Sequence, residues 1–168
     1  RALEAATTDK TRLVILNNPL NPAARVYSAG ELQVLADWCV RHDLIALSDE
    51  VWEHIVFDGR RHVSLLAVPG MRERTVKIGS AGKIFSMTGW KVGFACAAEP
   101  LLSVIARAHQ FITFTTPPNL QVAVAYGLDK TEAYFEEMRA AFARSRDRMT
   151  DALKAEGYAV LPSEGSYF

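Results

Sequence analysis

Cysteine is scarce in this chain: its 168 residues carry two, Cys39 and Cys96, both inside apolar stretches and without a CxxC or other metal-type spacing. That excludes a disulfide-stapled secreted module and leads us to expect a reducing, cytoplasmic compartment. Net charge is lacking too. Nineteen Lys and Arg balance nineteen Asp and Glu with no basic block, so neither nucleic acid nor an anionic membrane is an expected partner. Long hydrophobic runs are missing: stretches such as Leu44–Leu47 and Val92–Ala98 fall far short of the ~20 residues that a spanning helix needs. No signal-peptide pattern is visible. What is present is 49% hydrophobic residues against 23% charged, enough to bury a core. The chain opens on Arg1 and stops at Gly165-Ser166-Tyr167-Phe168, where a strand-like run is under way, so we expect a slice of a longer protein.

Short β-rich runs alternate with longer runs of helical period, the pattern of an α/β domain around a mostly parallel sheet flanked by helices. Arg12–Leu16 is the first expected strand, closed by the turn cluster Asn17-Asn18-Pro19-Leu20-Asn21-Pro22. Ser28 with Glu31 makes a capping box, and Leu32, Leu35, Ala36, Cys39 and Val40 recur behind it at helical spacing. Leu44–Leu47, Thr75–Ile78 and Lys91–Ala97 supply further strands, and helices are expected to about Phe111 and over Asn119–Leu128. From Thr131 to Glu156 a charged amphipathic helix follows, with Phe135, Met138, Phe142, Met149 and Leu153 along one side. Tyr158–Leu161 and Ser166–Phe168 are expected to begin strands of a smaller α+β domain. The resulting division is 1–130 for the larger domain, 131–157 for a connecting helix and 158–168 for the start of the smaller one.

In open α/β sheets, ligands bind beyond the carboxyl ends of the strands. Asn21 follows the first strand, Asp49 the second, and Ser80 with Lys83 the third, which places an amide, a carboxylate, a hydroxyl and an amine on one edge. Gly82-Lys83 is not a phosphate-binding Walker loop, since Gly79 and Gly82 are too close and Ile84 follows the lysine. His42, His54, His62 and His109 show no ligand spacing, so no metal is expected. His54, Trp38, Trp90 and Phe85 are read as structural, the last three as core.

Asn18-Pro19-Leu20-Asn21-Pro22, then Ser48-Asp49-Glu50-Val51-Trp52-Glu53-His54, then Ser80-Ala81-Gly82-Lys83 through Gly93, in that order and spacing, resemble the class I/II aminotransferases, pyridoxal 5'-phosphate enzymes of the aspartate aminotransferase fold. Gly89-Trp90-Lys91-Val92-Gly93 and Val56 to His62 resemble the branch with kynurenine/glutamine and methionine aminotransferases, and some N-succinyldiaminopimelate aminotransferases are similar. The resemblance implies a ping-pong transfer of an amino group between an amino acid and a 2-oxo acid, in a homodimer with shared active sites. Lys83 matches the lysine of the Schiff base and proton shuttle, and Asp49 the carboxylate on the pyridine nitrogen. Asn21 matches the amide on the ring's phenolic oxygen, and Ser80 and Lys91 match a hydroxyl and a cation on the phosphate.

Trp52 stands where the family usually has Tyr, so its indole can donate only through the ring N–H; we expect Asn21 to carry that contact and Trp52 to shape the pocket. Phe111–Pro118 resembles a segment that reaches a partner's active site, with an aromatic at Phe114; a buried loop would explain it nearly as well. A carboxylate-gripping arginine would lie after this chain and the phosphate-cradling loop before it, so the 168 residues alone are not expected to catalyse. The rival readings are a C–S β-lyase of the same fold and a non-catalytic sensor domain of a transcriptional regulator. Methionine, glutamine, aromatic amino acids and N-succinyldiaminopimelate all remain open as donors.

Overall fold

A computed structural model describes residues 1–167; Phe168, expected in a terminal strand, lies outside the described residues. The elements run α1 (Ala2–Ala6), β1 (Leu13–Asn17), α2 (Ala29–Arg41), β2 (Ile45–Asp49), β3 (Thr75–Ser80), α3 (Ala81–Ile84), β4 (Gly93–Cys96), α4 (Glu99–Ile112), α5 (Pro118–Leu128) and α6 (Glu132–Ala155). The four strands form one sheet in the order β1-β2-β3-β4. β1, β2 and β3 are parallel, and β4 turns back antiparallel to β3, so the sheet is mostly parallel as the alternating pattern predicts.

α2 begins where the capping box places it. The Glu31 N–H donates to Ser28 Oγ, and the Glu31 carboxylate accepts the Ser28 N–H in return. Its apolar stripe of Leu32, Leu35, Ala36, Trp38 and Cys39 packs on Leu16, Leu44, Ala46, Leu65, Val68 and Met71. Full burial of one leucine there, Leu32 for example, contributes about 1.5–3 kcal/mol. The opposite face of the sheet carries Leu13, Ile15 and Ile45, all exposed, Ile15 at 68%.

Three local expectations change. Tyr158–Leu161 forms no strand, because a strand needs a neighbour to pair with and none of the described residues offers one. Beyond it, Gly165 makes one isolated bridge to Val56. Trp90, expected in the core, sits in a 3-10 turn over Thr88–Trp90 and is 47% exposed. Finally, 111–118 is not a buried loop: Phe111 and Ile112 end α4 with their side chains in solvent, and Phe114 is 75% exposed at a left-handed φ of 66°. On α6, Phe135 is buried and Met138 and Phe142 pack on the Trp52 cluster, whereas Met149 is exposed beyond that contact.

Candidate active site

The register brings two of the predicted side chains, Asp49 and Ser80, to one edge. Asn17 at the end of β1 pairs with Asp49 at the end of β2, and Asp49 pairs in turn with Ile78, two residues before Ser80. Side chains alternate along a strand, so Asn17, Asp49, Ile78 and Ser80 share the face opposite α2. The turn after β1 is bound to this edge. The Asn18 N–H and Asn17 Nδ2 donate to the Asp49 carbonyl at 3.0 and 3.2 Å, and the Asn21 N–H donates to Asn17 Oδ1 at 2.7 Å. Asn21 itself is exposed. The Val51 N–H reaches Asp49 Oδ1 at 3.3 Å.

Ser80, Lys83 and Lys91 line one cavity of about 260 Å³ together with Gly82, Thr88, Val92 and Gly93. Ser80 is both N-cap and cavity residue: its Oγ accepts the Gly82 N–H at 3.1 Å, which leaves its own proton for a further acceptor. Thr88 Oγ1 spends its proton on the Gly82 carbonyl at 2.9 Å. Lys91, expected in a strand, instead follows the 3-10 turn in a left-handed conformation (φ 56°), two residues ahead of β4. Neither Lys83 nor Lys91 has a carboxylate partner among the described residues. A hydroxyl with an available proton and the Lys91 cation beside a small cavity suit a phosphate monoester, and the Lys83 amine next to them suits an aldehyde. A carboxylate one strand away suits a protonated ring nitrogen. The residues present therefore fit pyridoxal 5'-phosphate.

Lys83 Nζ lies 5.0 Å from the ring centroid of Trp52, within cation–π range. Trp52 is buried among Ile55 and Phe57, with Val51, Met138 and Phe142 against it, so the indole forms one wall beside the amine. Phe114 is not brought to this cavity. It lines another of about 420 Å³ with His109, Thr115, Gln121 and Val124, which shares Val92 and Gly93 with the first. A cleft of about 860 Å³ between residues 53–62 and α6 carries mixed charge, including Arg60, Glu132 and Arg139, and none of the predicted site residues lines it.

Sequence reasoning missed two groups. The first is Glu50, whose side chain is 1% exposed and turned to the face opposite Asp49. It accepts from Ser48 Oγ (2.8 Å), Ser64 Oγ (3.1 Å) and the Leu65 N–H (2.9 Å), and lies 2.9 Å from His62 Nε2 and 3.6 Å from Lys77 Nζ. Burial pushes the Glu50 carboxyl up, but the hydrogen bonds from His62, Leu65 and Ser48 and the His62 charge outweigh it and hold it below its ordinary value. Glu50, Glu53 and His62 place ligand atoms within 4.8 Å of one another, but the Lys77 ammonium, paired with Glu53, already supplies the cation there. The legible signal was Ser48-x-Glu50 on the face that carries Leu44 and Ala46: a carboxylate sent into a core must find partners. The second is Tyr167, whose hydroxyl donates to the Lys83 carbonyl at 2.7 Å across 84 residues of chain.

The family model described as aminotransferase class I and II matches residues 1–168. The chain is 44% identical over 170 residues to the kynurenine–oxoglutarate transaminase of Dictyostelium discoideum, covering 99% of this chain and 39% of that protein. It superposes on the N-succinyldiaminopimelate aminotransferase of Mycobacterium tuberculosis with a TM-score of 0.95 at 41% identity, over 99% of this chain and 43% of that one. Escherichia coli YbdL, described with a methionine aminotransferase function, gives a TM-score of 0.94 at 37% identity, over 99% and 44%. The chain thus spans about two fifths of the length of the relatives it matches. With matching fold, sequence and edge geometry, the chain belongs to the class I and II aminotransferases.

Proposed function

We propose that the protein containing this chain is a pyridoxal 5'-phosphate-dependent aminotransferase that moves an amino group between an L-amino acid and a 2-oxo acid in a ping-pong cycle. The carrying observation is the meeting of Ser80, Lys83 and Lys91 at one cavity, with Asp49 on the same face of the adjoining strand end. When bound, the cofactor supplies an electron sink that delocalises the charge left when the substrate's Cα loses its proton.

The chain's own residues divide the remaining work. Lys83 holds the cofactor through its amine and moves the proton between the substrate Cα and the cofactor's C4′. Asp49 keeps the proton on the pyridine nitrogen, and its backbone bonds to Asn17 and Asn18 fix the strand end that carries it. Ser80 and Lys91 grip the phosphate, the lysine as a point charge rather than a bidentate fork. Asn21 reaches the phenolic oxygen, and Trp52 walls the pocket beside the amine. The exposed Phe111, Ile112 and Phe114 suit a homodimer in which Phe114 enters the partner's site. Both cysteines are unpaired, as suits a cytoplasmic protein. Relatives that act on kynurenine, N-succinyldiaminopimelate and methionine supply the candidate donors.

The experiment is an amino-donor panel on the full-length protein, read as loss of the bound cofactor's visible absorbance on addition of donor and its return on addition of a 2-oxo acid. Lys83→Ala is expected to abolish turnover, and wild-type turnover in that variant defeats the reading. Release of a thiol, pyruvate and ammonia from a cystathionine-type substrate without any acceptor would mark a lyase instead.

A further inference from the structure

Residues 163–167 return from α6 past residues 24–26 and 55–60, and each of them is tied down. The Phe57 N–H donates to the Glu164 carbonyl and the Ser166 N–H to the Ile55 carbonyl, both at 2.9 Å. The Glu164 and Gly165 N–H groups both reach the Ala24 carbonyl, at 2.7 and 3.2 Å. The Glu164 carboxylate takes the Val26 N–H at 2.8 Å and pairs with Arg60 at 2.7 Å. Arg146 on α6 holds the start of the segment through the Ser163 carbonyl at 3.0 Å while gripping Asp58 with both terminal nitrogens. The approach is close enough to demand glycine, since a Cβ at Gly165 would stand 2.7 Å from the Ile55 carbonyl oxygen.

The segment delivers Tyr167. Its ring packs edge-on to Trp52, with centroids 4.4 Å apart and planes at 75°, and lies 4.6 Å from the ring of Phe142 on α6. Its hydroxyl donates to the Lys83 carbonyl at 2.7 Å. Lys83 sits in the last turn of α3, a helix of four residues, too short to hold itself rigid and with carbonyls that find no partner inside it. Tyr167 therefore touches both the backbone of Lys83 and the indole that lies within cation–π range of its amine.

We propose that Tyr167 is a positioning residue for Lys83: the strap of residues 163–167 fixes the lysine's backbone and the Trp52 wall together, so the aim of the amine depends on this segment. The inference rests on Lys83 being the cofactor-carrying amine. A phenol keeps its donating proton at neutral pH, and partial burial raises that of Tyr167 further.

The test uses the full-length, cofactor-loaded protein with Tyr167→Phe, which keeps the ring and deletes the donor, and Tyr167→Leu, which deletes both. Tyr167→Phe is expected to retain its cofactor, shift the pH midpoint of the cofactor's visible band by roughly 0.3–0.8 unit, and lower kcat on the order of two- to tenfold, the effect of one lost hydrogen bond. KM should stay within about twofold. Tyr167→Leu should shift both readouts further. Parental pH midpoint and kcat in both variants overturn the proposal, and so does a lower melting temperature alone. Lys83→Ala, run in parallel with borohydride fixation of the cofactor, separates the two readings. Fixation surviving in Lys83→Ala sinks the assignment of the lysine. Its loss there, with Tyr167 variants behaving as the parent, sinks only the strap.

Discussion

Glu50 Oε2 stands 2.9 Å from His62 Nε2 on the face of β2 opposite Asp49, and the two side chains are 1% and 9% exposed. Removing one partner leaves the other buried without its contact, so His62→Ala should cost about 1–3 kcal/mol in urea unfolding. The acid limb follows from sign. The Glu50 carboxyl is depressed in the fold, so its contribution is fully present above its ordinary 4.5 and is lost as pH falls through the lower, folded value. Glu50→Gln removes that contribution, and the variant should lose less stability below pH 4.5 than the parent does. Identical acid-unfolding curves for the two proteins would contradict the account.

Lys91 presents its ammonium to the same cavity as Ser80 from a left-handed backbone position. Lys91→Ala in the full-length apoprotein should weaken pyridoxal 5'-phosphate binding about tenfold, the scale of one charge-assisted contact, while Lys91→Arg retains most of it. Pyridoxal without the phosphate is the control. An equal loss for both ligands in an absorbance titration would show that Lys91 serves the fold and not the phosphate.

Trp52 is buried between the Lys83 amine and the Tyr167 ring. If the indole chiefly shapes the pocket, Trp52→Phe should move the pH midpoint of the bound cofactor's absorbance by less than about 0.3 unit, which is a small differential interaction. A shift near a full unit would instead assign the indole N–H a direct role at the ring oxygen.

Gly79 lies under Phe94 on the neighbouring strand, where a Cβ would fall 2.2 Å from the ring. Gly79→Ala must displace that ring and should cost about 1–3 kcal/mol by overpacking. At Gly89 a Cβ would meet nothing within 4 Å, so Gly89→Ala should lie within about 0.5 kcal/mol of the parent in the same melt.

What the sequence disclosed was local or periodic. The Ser28–Glu31 box starts α2 because both partners lie within one turn, and the alternation of β2 delivers Asp49 to the strand end because the pleat has a period of two. What it concealed was made by tertiary approach. Tyr167 meets Lys83 across 84 residues, and Glu50 finds His62 and Leu65 only after the intervening loop folds back onto the sheet. At Lys91, named from the sequence, only the backbone was concealed: the apolar neighbours Val92 and Phe94 suggest a strand that the left-handed conformation at Lys91 holds off until Gly93.

Asp49 and Glu50 are consecutive acids sent to opposite sides of one sheet. A slip of a single residue in β2 would turn each to the other's face: in one direction Glu50 moves into the place of Asp49 and loses Ser64, Leu65 and His62. The buried network of Glu50 thus also discriminates register: only the pairing that satisfies it turns Asp49 to the opposite face, the one it shares with Ser80.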